Sequence, residues 1–99
     1  MVGVKALTYA TVLALAACAG MSAPDADLAA ARAALLQAEP VAHRYAQPEL
    51  KLAQAKLARA EQAMMREDRR EARRLAEQAE VDARYAWALA ESERVRAEP

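Results

Sequence analysis

Phenylalanine is absent from this 99-residue chain, and it has only two glycines, one cysteine, one histidine and one tryptophan. Isoleucine and asparagine are missing too, and both threonines fall in the first eleven positions. Strands draw on β-branched and aromatic residues and tight hairpin turns on Gly and Asn, so a sheet protein is not expected. A lone cysteine rules out a disulfide within the chain. Beyond position 20 the only hydroxyls besides tyrosine are Ser22 and Ser92, and His43 stands alone. No nucleophile–base set and no His/Cys metal cluster is expected from such an inventory, so neither enzyme activity nor a metal or other cofactor is predicted. Fourteen basic residues meet fourteen acidic ones. That balance gives no overall field to recruit nucleic acid. The carboxylates are dispersed, and nothing forces two of them into one apolar pocket as an acid/base pair.

What is abundant is alanine, with Leu, Arg, Glu, Gln and Lys. These are the best helix formers, so the fold class expected is all-α. Large apolar side chains are few after residue 24: Leu28, Leu35, Leu36, Val41, Leu50, Leu52, Leu57, Met64, Met65, Leu75, Val81, Leu89 and Val95, with Tyr45, Tyr85 and Trp87. A core drawn from so few side chains is thin, and marginal stability or self-association is expected of a domain this small.

The first 17 residues read as a secretory leader, with Lys5 as their only charge and an apolar run from Ala6 to Ala17. That run is too short to span a bilayer, which takes about 20 helical residues. It ends in Leu15-Ala16-Ala17-Cys18, which resembles the lipobox of bacterial lipoproteins at all four positions. The resemblance implies cleavage between Ala17 and Cys18, a thioether-linked diacylglycerol on Cys18 and an acyl chain such as palmitate on the new amine. That covalent lipid is the one non-protein group expected. Three other readings stay open: cleavage after Ala19 by the small-x-small pattern, releasing a soluble protein; an uncleaved leader serving as a short anchor; and an ordinary buried thiol.

Residues 18–24 then form a tether and 25–99 a single helical domain. Ser22, Pro24, Asp25 and Asp27 make a helix-start signal, and a first helix is expected from 25 to about 38, ended or kinked by Pro40. Residues 39–47, with Val41, His43 and Tyr45, are expected as a connector containing a helical turn of its own, with Pro48 opening a second helix that runs to 66 and carries Leu50, Leu57 and Met64 at heptad spacing with Ala53 and Ala60 between them. Asp68 and Glu71 form a capping-box pair for a third helix over 69–97. On it, Ala72, Ala79 and Ala86 run beside Ala76, Ala83, Ala90 and Ala97 as two columns of small residues, a face suited to close helix approach or self-association. Glu71 with Arg74, Glu80 with Arg84, and Glu91 with Arg94 are expected as ion pairs along it. At 1.5 Å per residue the second helix is about 27 Å long and the third about 45 Å. The architecture predicted is an elongated antiparallel hairpin of these two, with the shorter first helix packed alongside as in a three-helix bundle.

These features resemble the bacterial lipoproteins that carry domain of unknown function 4398. The likeness covers roughly Asp25 to Glu93 and rests on Arg44-Tyr45-Ala46-x-x-Glu49-Leu50-x-x-Ala53-x-x-x-Leu57-x-x-Ala60 and on Glu71-Ala72-x-x-Leu75-Ala76-Glu77-Gln78-Ala79-x-x-Asp82-Ala83-x-x-Ala86. It implies an envelope lipoprotein. Some such proteins continue into a peptidoglycan-binding module of the outer-membrane-protein-A type, which is not read in these residues, so wall binding is not carried over. At the turn between the two long helices relatives place Gly-Asp or Gly-Asn, where this chain has Glu67-Asp68, and a left-handed turn residue is costlier without glycine. Ala19 rather than Asp after Cys18 implies, by resemblance to the Gram-negative sorting rule, the periplasmic face of the outer membrane.

Two further sets of residues are candidates for contact. Arg66, Arg69, Arg70, Arg73 and Arg74 crowd the turn, which the topology returns to the anchored end, so they are placed to meet anionic head groups; the plainer reading is a solvated, salt-bridged turn. Trp87 and Tyr85 lie two apart and face different directions, one expected to pack in the bundle and the other to be exposed; an exposed Trp87 is the candidate for partner contact, and the plainer reading of it is a half-buried rim residue. The function expected is therefore a non-enzymatic envelope lipoprotein with a structural or protein-contact role. Its partners would be the membrane, an envelope protein or a second copy through the third helix, and no nucleic acid. The alternative is a soluble periplasmic binding module for an anionic or peptidoglycan ligand.

Overall fold

The computed structural model describes residues 24–98; the leader, Ala17, Cys18, Ser22 and the rest of the tether lie outside them. Three helices follow in order, α1 (Pro24–Tyr45), α2 (Gln47–Met65) and α3 (Arg69–Ala97), and no strand occurs among the described residues. The fold is all-α, a bundle of three helices.

Helix α1 is seven residues longer than its proline suggests. It runs through Pro40 to Tyr45, so the expected connector shrinks to Ala46. Proline withdraws the N–H that would bond the Leu36 carbonyl, a loss that normally ends a helix. Here Pro40 lies on the exposed side of α1 and Leu36 is 71% exposed, so the carbonyl that loses its donor is on the solvent side, where the loss costs least. The opposite side of α1 keeps a 3-4 spacing through the proline: Leu28, Ala31, Leu35, Ala38 and Ala42 are all buried. Burial of that stripe holds the last two turns helical.

The reversal at Ala46 takes one residue. Its N–H donates to the Ala42 carbonyl (2.8 Å) and its own carbonyl accepts from the Leu50 N–H (3.0 Å), so the hydrogen-bond ladder of α1 hands over to that of α2. Ala46 is 1% exposed, which leaves room for a methyl group and little else. Pro48 occupies the first turn of α2, one place later than expected, where a missing N–H has no helical partner to lose.

Topology follows from which ends meet. Leu28, near the start of α1, packs with Ala60 near the end of α2 and with Leu75 and Ala76 near the start of α3. Leu35, Ala38 and Ala42 pack with Ala46, Leu50 and Ala53, and with Ala83, Ala86 and Ala90. The bundle therefore runs up, down, up: α1 and α3 are parallel and α2 opposes both. Helix α3 is the spine, with both other helices laid along it and only a lesser contact between them. The α2–α3 hairpin is present, but α1 is its equal rather than a short addition.

The core is alanine. Its buried members comprise thirteen alanines and only four leucines: Leu28, Leu35, Leu50 and Leu75. Ala72, Ala76, Ala79, Ala83, Ala86 and Ala90 of the two small-residue columns are wholly buried, and only Ala97 is exposed. That face is an interface, as its pattern implies, but one used up inside the chain by α1 and α2. Many of the large apolar residues face water instead, among them Leu36, Leu52, Met65, Val81, Tyr85, Trp87 and Val95. On α2 Leu50, Ala53 and Ala60 are buried, whereas Leu57 and Met64 are half-buried at the edge.

Methyl-sized side chains let helices approach toward the short end of the usual 8–10 Å axis spacing, where larger residues do not fit. Ala83→Leu inserts volume into a seam with no slack and is expected to cost about 1–3 kcal/mol or more, whereas Ala55→Leu, on the exposed side of α2, stays within about 0.5 kcal/mol. Urea unfolding of the two variants measures the difference.

Candidate functional site

The α2–α3 turn is built from backbone hydrogen bonds. Asp68 N–H donates to the Ala63 carbonyl (2.9 Å) and Glu67 N–H to the Met64 carbonyl (3.0 Å), the paired bonds of a Schellman motif. Glu67 carries the left-handed conformation the motif demands, with φ of 61°. It is the position where relatives are expected to hold glycine, and the reversal is thereby located.

Asp68 caps α3, its Oδ1 accepting from the Glu71 N–H at 3.2 Å. Only this half of the expected capping box forms. The Asp68 N–H is taken by Ala63, and the Glu71 carboxylate turns to Arg74, whose Nε donates to Glu71 Oε2 at 3.0 Å. That hydrogen bond holds the Glu71 carboxyl below its ordinary range; burial pushes the other way, and the charges of Arg74, Arg59 and Arg66 add to the lowering. Glu71 thus lies in a field of three arginines.

Of the five arginines picked out at the turn, one is tied across the bundle and a second along its own helix. Arg73 Nε meets Asp27 Oδ2 across the α1–α3 interface and Glu77 along its own helix, both at 3.4 Å, and Arg74 pairs with Glu71. Arg66, Arg69 and Arg70 are exposed and form no ion pair among the described residues, and neither does Arg59. Beside them Met65, 85% exposed, is the most exposed of the large apolar side chains. The Asp27–Arg73 bridge, three residues after the start of α1, places this cluster at the end where the chain leads into the bundle.

The helix-local pairs expected on α3 are present: Glu71–Arg74, Glu80–Arg84 and Glu91–Arg94. A second set, not legible from local spacing, stitches the helices pairwise. Arg32 and Glu61 join α1 to α2 at 3.3 Å, Lys56 and Asp82 join α2 to α3 at 2.6 Å, and Asp27 and Arg73 join α1 to α3. Asp27 Oδ2 and Asp82 Oδ2 are shielded from solvent, so each depends on the cation facing it.

Neither aromatic of α3 is buried. Tyr85 is 59% and Trp87 40% exposed, so Trp87 is a rim residue and the expectation that one of the two packs in the core is not met. His43 is exposed on the last turn of α1. No group of three or more metal-ligating side chains converges among the described residues, and no described helix is long and apolar enough to cross a membrane. Two open grooves occur among the described residues' surface depressions, one between α1 and α2 lined by Arg32, Leu35, Leu36, Glu39, Gln54 and Leu57, another on α3 around Val81.

The class this defines is a small helical bundle whose distinctive chemistry lies at one end. The family described as Domain of unknown function (DUF4398) matches residues 26–99, and the chain belongs to it. No curated protein and no solved structure gives a significant match.

The left-handed Glu67 gives a direct check on the turn. A non-glycine residue there costs about 1 kcal/mol or more, part of which glycine returns as unfolded-chain entropy, so Glu67→Gly is expected to stabilise by about 0.5 kcal/mol and raise Tm by a few degrees. Glu67→Val, β-branched, is expected to lower Tm. Thermal unfolding followed by circular dichroism reads both.

Proposed function

We propose that this chain is a bacterial envelope lipoprotein, anchored through Cys18 in the outer membrane on its periplasmic side, where it presents the bundle for structural or protein-contact work and catalyses no reaction. The observation that carries the reading is Leu15-Ala16-Ala17-Cys18 at the end of a leader whose apolar run is too short to span a bilayer. Each buried methylene contributes about 0.8 kcal/mol and one acyl chain holds only marginally, so a diacylglycerol with a further acyl chain gives stable attachment. The fold supports a consequence. The unpaired Arg66, Arg69 and Arg70 and the exposed Met65 lie at the end of the bundle nearest Cys18 in sequence, facing the lipid when the tether is short. Pro24 lies six positions after Cys18, a reach of about 20 Å at full extension, which keeps that end near the surface.

Mass spectrometry of the mature N-terminus tests the anchor. Diacylglycerol and acyl mass on Cys18 is the expected result; an unmodified chain beginning at Gly20 overturns it and favours a soluble periplasmic binding module. Co-sedimentation of the purified Cys18→Ala chain with vesicles tests the head-group contact separately. Binding is expected to rise with anionic lipid and to fall on replacing Arg66, Arg69 and Arg70 by Gln, each arginine contributing at most about 1 kcal/mol. Equal binding to neutral and anionic vesicles removes that contact from the account and leaves the anchor standing.

A further inference from the structure

Helix α3 carries a second patterned face, opposite the alanine seam. Val81, Tyr85, Ala88, Ser92 and Val95 follow one another at spacings of four, three, four and three, the a/d rhythm of a coiled coil. All five are exposed, with Val81 at 63%, Tyr85 at 59% and Val95 at 64%. On a helical wheel this stripe points directly away from Ala72, Ala79, Ala83 and Ala90, which α1 and α2 cover. Self-association through the alanine columns is therefore closed off, and the heptad stripe on the far side is the face of α3 left open.

We propose that this stripe pairs with the same stripe of a second copy, two α3 helices running parallel about a two-fold axis. The flanking charges support a second copy as the occupant. In a parallel pair a g position faces the e position five residues further along the other helix. Glu91 and Arg96 stand in those places, so the two-fold forms Glu91–Arg96 contacts twice, from one copy to the other. Both side chains are held locally, Glu91 by Arg94 and Arg96 by Glu93, at the surface where partners exchange readily. The like-charged places, Glu77 and Asp82, are already neutralised within each copy by Arg73 and Lys56. Small residues at Ala88 and Ser92 allow close approach at the middle of the stripe.

The parallel sense rests on the anchoring proposed above: it puts both copies of Cys18 at the same end of the pair, where one leaflet can hold them. An antiparallel pair would separate those ends by about the length of α3, some 44 Å for its 29 residues. Two heptads make a short seam, and confinement to a membrane supplies the effective concentration that a short seam needs.

Disulfide trapping tests the pairing in the full-length chain. A parallel pair brings Ser92 of one copy against Ser92 of the other, so Ser92→Cys is expected to oxidise to a covalent dimer in membranes, with a yield about tenfold above that of Ala58→Cys on the exposed side of α2. Adding Tyr85→Glu is expected to abolish the excess. Equal yields from Ser92→Cys and Ala58→Cys, in membranes where acyl mass on Cys18 has been verified, overturn the pairing. Preferential bonding between mixed Val81→Cys and Ser92→Cys chains overturns the parallel sense. If Cys18 carries no lipid the anchoring reading fails by itself, and sedimentation of the purified chain at millimolar concentration decides the pairing: dimer supports it, monomer overturns it.

Discussion

Close approach of helices through alanine is the constraint on which the rest of this structure depends. Thirteen of the buried core residues are alanines, and six of them form one side of α3. An alanine loses no side-chain entropy on folding and costs nothing in helix propensity, so the bundle gains compactness without large side chains to order. Each methyl group buries little area, and the stability that results is spread over many small contacts. That arrangement tolerates exposed Leu, Val, Tyr and Trp, because the large residues are not what holds the helices together.

The parts legible in the sequence are those that depend on spacing along one helix. The two alanine columns of α3, its bounds and its local ion pairs all follow from a regular heptad and short-range charge order. What was not legible depends on the relation between helices. Pro40 reads as a stop, and it is tolerated only because its missing donor falls on the exposed side while Ala38 and Ala42 stay buried on the other. The pairs Arg32–Glu61, Lys56–Asp82 and Asp27–Arg73 require the register of one helix against another, which local patterns do not carry. The exposure of Met65 and Tyr85 is similar: hydrophobicity alone marks them for packing, and only the geometry of a core already filled by alanine leaves them outside.

The up-down-up order connects the fold to the proposed role. After two antiparallel helices, the turn between α2 and α3 returns to the end where the chain leads in, and the Asp27–Arg73 bridge joins the two there. Among the described residues Arg66, Arg69 and Arg70 form no ion pair at that end, while Asp27 and Glu71 are held by Arg73 and Arg74. A tether fixed at Cys18, as proposed, would thus present one chemically distinct end to lipid and turn the long sides of the bundle away from it. The five arginines of the turn divide into two held by carboxylates of the bundle and three that are available to something outside it, a division that sequence proximity hides.

Because α1 and α2 both lie on the alanine face of α3, the three helices are expected to unfold as one unit. Native-state hydrogen exchange tests this most directly. The slowest amides are expected on α3 between Ala72 and Ala90, and the slowest amides of α1 and α2 are expected to exchange with the same free energy of opening. Amides of α1 exchanging at a distinctly lower opening energy while α2 and α3 stay protected would contradict it, and would make the bundle a two-helix hairpin with a loosely attached third.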